Sequence, residues 1–184
     1  MTIFDAQRDI RRAYVGGGPG VLVSGLVWLA AALIEQSRGV GPAFAILFVG
    51  GMLIFPLSTI VSRLLFRRGK EAAGNPLGPV ALESTIAMLG GLFAAWLFLR
   101  FEPAFVFPLA AIAVGTHYAV FKTIYGDRLF WALAAIITFI GFLGIYRVVP
   151  VPGGTIFAVA AVELLLGALL IMRASRTVQV DMAS

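Results

Sequence analysis

Three ionisable side chains stand inside long apolar runs of this 184-residue chain: Glu83, His117 and Glu163. A charge at the centre of a bilayer costs at least about 2.5 to 3.5 kcal/mol, so such groups face a bundle interior, pair with one another or line a wet cavity. Helical spacing sets each on a stripe of small residues: Glu83 with Ala87, Gly90 and Ala94, His117 with Ala110 and Ala113, Glu163 with Ala160 and Gly167. Small residues let helix backbones approach closely in membranes, so the spacing predicts that all three groups point at neighbouring helices. At a rise of 1.5 Å per residue, Glu83 and His117 lie about 9 Å and about 6 Å from the cytoplasmic ends of their helices, and Glu163 lies ~14 Å deep. The chemistry this predicts is a polar site open to the cytoplasm in which Glu83 and His117 bind or relay a proton. Tyr118, Ser84 and Thr85 are its hydrogen-bonding neighbours, Lys122 and Arg63 compete with His117 as partners for Glu83, and Glu163 lacks a charged partner at its level. The structural alternative is a plain interhelical hydrogen bond between Glu83 and His117.

Other motifs exclude more than they assign. Gly16-Gly17-Gly18-Pro19-Gly20 has the look of a phosphate loop, but no Gly-Lys-Ser/Thr follows it; it reads as a loose helix start or a place where a neighbouring helix comes close. Asn75-Pro76-Leu77 reads as a helix cap, with Asn75 capping and Pro76 in the first turn. In Phe55-Pro56-Leu57-Ser58-Thr59, the proline frees a carbonyl and bends its helix, and Ser58 or Thr59 is placed to satisfy it. There is no cysteine and only one histidine, which excludes thiolate chemistry and multi-histidine metal sites. No Ser-His-Asp set is evident, so the chain reads as neither an enzyme nor a cofactor carrier.

The elements that must position these residues are helices in lipid. The chain is 60% hydrophobic and 12% charged, with a mean hydropathy of +0.99; soluble domains carry roughly 25% charged residues. Apolar runs long enough to cross a bilayer fall at Val15–Ile34, Pro42–Ser62, Leu77–Leu99, Pro103–Phe121, Leu129–Tyr146 and Pro152–Met172. The fold class is therefore an all-α polytopic bundle of six transmembrane helices over residues 15–172. Residues 1–14, with Ile3, Phe4, Ile10 and Tyr14 among charges, read as an interfacial helix, and residues 173–184 as a cytoplasmic tail. Eleven basic residues (Arg8, Arg11, Arg12, Arg63, Arg67, Arg68, Lys70, Lys122, Arg128, Arg173 and Arg176) fall on the side of the N terminus, against Arg38, Arg100 and Arg147 on the other. That bias predicts both termini inside and makes the net charge of +5 a matter of topology and not of nucleic-acid binding. Trp28, Trp96 and Trp131 fall toward span ends, where aromatic belts are expected. Pro42, Pro103 and Pro152 each open a span running outside to inside, two of them as Pro-Ala-Phe, which reads either as three parallel helical hairpins or as proline's ordinary fitness for a first turn.

Gly115-Thr116-His117-Tyr118, Tyr125 eight residues beyond His117, and Asn75-Pro76-Leu77 after the Phe-Pro-Leu of the second span together resemble a bacterial family of small six-span membrane proteins of unknown function. The resemblance implies a cytoplasmic-membrane location and adds weight to His117. Two functions stay open: a small transporter or channel, proton-linked through Glu83, His117 and Glu163, or a non-catalytic membrane partner or stress-related component. The lipid bilayer is the expected partner. A homodimer would use the Gly141/Gly144 face of the fifth span.

Overall fold

The computed structural model describes residues 1–146 and 154–183, with side chains to Ser175. Among them every regular element is helical: α1 (Ile3–Ala13), α2 (Gly18–Arg38), α3 (Val40–Leu64), α4 (Leu77–Leu97), α5 (Val106–Tyr125), α6 (Leu129–Tyr146) and α7 (Gly154–Ala183), with 3₁₀ turns at Val15–Gly17 and Pro103–Phe105. Six stretches are long and apolar enough to span a membrane: Val15–Arg38, Val40–Leu64, Leu77–Leu97, Pro103–Tyr125, Leu129–Tyr146 and Gly154–Ser175. They match the expected spans to within a turn at nearly every end. Pro152 and Arg147, which belong to the hairpin and charge readings, lie outside the described residues. The segment expected as a tail continues α7 as far as Ala183.

The helices pack in the order α3–α2–α7–α6–α5–α4, and α3 and α4, at the two ends of that series, scarcely touch. Glycines hold the close pairs. A Cβ on Gly18 would stand 2.6 Å from Ile171 Cγ1 and one on Gly167 2.8 Å from the Leu22 backbone nitrogen, so α2 and α7 approach backbone to backbone. Within the glycine run at residues 16–20, Gly18 thus serves neighbouring-helix approach. Gly115 meets Thr138 and the Ala134 carbonyl in the same way, and Gly141 meets Ile112 and the Pro108 carbonyl. Gly144 packs on Pro108 and Thr155. The Gly141/Gly144 face, expected as a dimer contact, is therefore occupied within the chain by α5 and the start of α7.

Trp28 is a second correction. It is 1% exposed and packs against Phe107, with ring centroids 6.4 Å apart, so it belongs to the core; Trp96 and Trp131 remain 51% and 55% exposed. Trp28 sits half-way along α2, where an inward-facing aromatic fills the bundle instead of anchoring at its edge.

The N-terminal helix docks on the bundle. Thr2 caps α1 with a reciprocal pair to Asp5, and Ala6, Ile10 and Ala13 form its buried stripe. Ile10 and Ala6 pack on Leu77 and Ile124, at the end of the bundle that carries most of the arginines. Ile3 and Phe4 stay exposed on the outer side. The chain then turns sharply into α2 through Val15, Gly16 and Gly17, all with positive φ (51°, 63° and 80°). Gly17 has no alternative there, since a Cβ would press on the Tyr125 and Phe130 rings at 2.9 Å.

Candidate functional site

Because α3 and α4 scarcely touch, the bundle holds a partly open cavity of about 530 Å³ between α2, α3, α4 and α5, within the range of pockets for small molecules. Its middle is apolar, walled by Trp28, Leu47, Ile54, Met88 and Leu92. Polar groups border it at Ser24, Ser58, Ser62, Thr85, His117 and Tyr118. At the end away from α1, Phe48 of α3 meets Phe93 of α4 edge-on at 5.8 Å and closes the gap between those helices. At the basic end, α1 and the α3–α4 loop lie across it, bringing Ile10, Tyr14 and Glu71 into the wall. Pro56 lies within α3, and Ser58 Oγ donates to the Phe55 carbonyl at 3.0 Å. Thr59 Oγ1 is buried without a partner. Neither hydroxyl reaches the carbonyl of Met52, the one a proline at position 56 deprives of its donor.

His117 is held between α5 and α4. Its Nδ1 lies 2.7 Å from Ser84 Oγ, and its ring meets Phe121 edge-on at 4.5 Å. It borders the inner cavity on one side and, on the other, an outer groove between α4 and α5 that also takes in Ser84, Ala87, Gly91 and Thr116. The expected partner, Glu83, is not there. Its side chain is exposed on the outer face of α4, as are Ala87, Gly90 and Ala94. The reason is a one-residue rotation: α4 carries two parallel stripes, and the inner one is Ser84, Met88, Gly91 and Ala95. Gly91 packs against Ala113 of α5, where a Cβ would come within 2.6 Å, and Ala95 is 0% exposed. No Glu83–His117 pair forms, and Lys122 lies instead over the Trp131 ring at 4.8 Å.

Glu163 is 0% exposed, sealed where α7 crosses α2 beside Gly25. The hydroxyls of Ser24 and Tyr118 come near its carboxyl, but neither carboxyl oxygen has a partner in hydrogen-bonding geometry. Ser24 and Tyr118 also line the cavity, so they stand between it and Glu163. Of the candidate residues, His117 and Tyr118 border the cavity side by side, with ring centroids 6.0 Å apart, Ser84 lies behind His117, Glu163 behind Tyr118, and Glu83 outside.

Spacing gave no sign of the fastening at the basic end. The Asp9 carboxylate accepts from Ala72 N at 2.7 Å, from Asn75 Nδ2 at 3.1 Å and from Arg12 at 2.7 Å. Asn75 also donates to the Ala6 carbonyl and accepts from Leu77 N, tying α4 to α1, while the N-cap position itself falls to Pro76, one residue later than expected. Gln7 and Arg11 donate to the carbonyls of Thr123 and Tyr125, fixing α1 to the end of α5. The Arg12 guanidinium, followed by the Ala72 amide, holds the Asp9 carboxyl below the usual carboxylate range. Burial, with Glu71 beside it, raises the Tyr14 phenol above its usual range. A buried asparagine before a proline was the one visible signal; its partner sits 66 residues away, beyond any periodicity.

No curated protein and no solved structure matches this chain. Over residues 3–173 it matches a family of unknown function, DUF7010. A six-span helical bundle matched over nearly its whole length in this way is an integral membrane protein and belongs to the DUF7010 family.

Proposed function

We propose that this protein is a small transporter of the cytoplasmic membrane, with its basic end inside and the cavity between α2 and α5 as its solute chamber. The observation that carries the reading is that cavity: ligand-sized, largely apolar, bordered by a few convergent polar groups. Its flanking helices α3 and α4 scarcely touch, so they are free to part and close without breaking a packed seam. Proton linkage is assigned to Glu163, reached through Ser24 and Tyr118, with His117 as a polar contact beside Tyr118 and Ser84 behind it. Glu83 takes no part in the chamber on this reading. The test is solute counterflow in proteoliposomes with and without a pH gradient. Wild type is expected to respond to the gradient, and Glu163→Gln to lose the response while remaining folded; unchanged gradient-driven flux in that variant overturns the assignment.

A second reading, that of a membrane partner, is favoured by the exposed Glu83. A carboxyl on the outer face of a spanning helix, beside a groove of about 450 Å³ between α4 and α5, is better placed against another helix than against lipid. With no native cysteine, Ala87→Cys gives one defined position for crosslinking in membranes. A crosslinked partner or second copy supports this reading, and its absence removes it.

A further inference from the structure

Among the described residues lining the cavity, one carries a fixed charge, and it is acidic: Glu71. Its origin makes this unexpected. It belongs to the α3–α4 loop, with Arg63, Arg67, Arg68 and Lys70 close by in sequence, yet none of those four enters the cavity wall. Glu71 is half-buried and lies near the Tyr14 hydroxyl, where Arg63 acts from outside the cavity wall. Around that mouth the wall is aromatic. Tyr14 and Phe55 stand with ring centroids 6.1 Å apart, and Phe121 meets Tyr125 edge-on at 5.9 Å. Phe55 is 66% exposed, at the rim between chamber and surroundings. Beyond these rings the lining turns aliphatic, through Ile54, Leu82, Met88 and Leu92.

A carboxylate among aromatic faces, opening into an apolar chamber with no Lys or Arg in its described lining, is the arrangement that selects a large, weakly hydrated cation. An anion meets Glu71 with no Lys or Arg in the described lining to bind it, Arg63 standing outside the wall, and a compact hydrated cation loses its water without gaining ligands. We propose that the mouth of the chamber is a site for an amphipathic organic cation. Its charged centre sits at Glu71 among Tyr14, Phe55 and Tyr125, and its apolar body lies toward Met88 and Leu92. The inference rests on the reading of the cavity as a solute chamber and names the class of solute. The same chemistry is presented by a free lipophilic cation and by the ammonium headgroup of a lipid reaching in past Phe55.

The probe is radiolabelled tetraphenylphosphonium, titrated onto the full chain in nanodiscs of anionic lipid, with empty nanodiscs subtracted. Tetraphenylborate, the same shape with opposite charge, is titrated in a separate experiment. Saturable binding of the phosphonium but not of the borate, weakened about tenfold in Glu71→Gln, is the expected result. Tyr14→Phe should bind nearly as wild type and Tyr14→Leu more weakly, which separates a ring contact from a fold defect. Repeating the titration in choline-headgroup nanodiscs distinguishes the sources: unchanged affinity identifies a free cation, and loss of the probe identifies the lipid ammonium. Binding of tetraphenylborate but not the phosphonium, abolished by Gly51→Trp, overturns the cation while leaving the chamber reading intact. Equal affinity of wild type and Glu71→Gln for the phosphonium also overturns it. If neither ion binds, the cation site falls, and the chamber is then judged on neutral solutes.

Discussion

His117 meets Ser84, not its neighbour Glu83, and that one-residue difference separates a site in the wall from a group on the outside. The imidazole nitrogen signals of this single histidine, recorded by NMR in nanodiscs, should move clearly in Ser84→Ala. Glu83→Gln should leave them nearly unchanged, and the reverse pattern contradicts the geometry. The types of the candidate residues were legible in the sequence because an ionisable group is so unusual in an apolar run. Their directions were less so. Two stripes of small residues run side by side along α4, and composition cannot say which faces the bundle; the difference lies in Ala113 of α5, against which only Gly91 fits. Ser24 went unnoticed because a lone serine in a spanning helix carries no signal until Tyr118 and Glu163 are brought beside it.

At the scale of elements, the fastening of α1 carries a pH dependence. The folded Asp9 carboxyl is held below its ordinary value, which is about 3.9, so its contribution to docking is complete above that value. It is lost as pH falls through the lower folded value. A spin label at Phe4→Cys should therefore report an immobile α1 at neutral pH and release in strong acid, and Asp9→Ala should be loose already at neutral pH. Retained immobility in Asp9→Ala would show that Gln7, Arg11 and the apolar stripe are sufficient. The glycines separate in the same way. Gly18→Ala forces a Cβ to 2.6 Å from Ile171, an overpacking that typically costs about 1–3 kcal/mol, whereas Gly90→Ala meets nothing within 4 Å and should be neutral or slightly stabilising. Thermal unfolding in detergent checks the pair, and equal shifts would contradict the packing of α2 on α7. Hydropathy alone located the spans, since a membrane demands about 20 apolar residues in a row. It could not show that the N-terminal helix docks on the bundle, because that depends on Asp9 and Asn75 meeting across the fold.

For the molecule as a whole, the order α3–α2–α7–α6–α5–α4, with its ends left almost unjoined, is what creates the cavity. That order is set by glycine seams between helices far apart in the chain, such as Gly18 on α7, and no local pattern announces it. On the proposed function the resulting chamber takes a solute. The direct measurement is the thermal unfolding of the protein in nanodiscs across a panel of small amphipathic cations, neutral compounds and anions, for wild type and Gly51→Trp. Gly51 lines the cavity with open space beside it, so the indole enters the chamber without straining the helices. A bound solute at a hundred times its dissociation constant adds about 2.7 kcal/mol. At least one solute class should stabilise wild type saturably and leave Gly51→Trp unmoved; stabilisation of neither protein, or of both alike, contradicts the chamber.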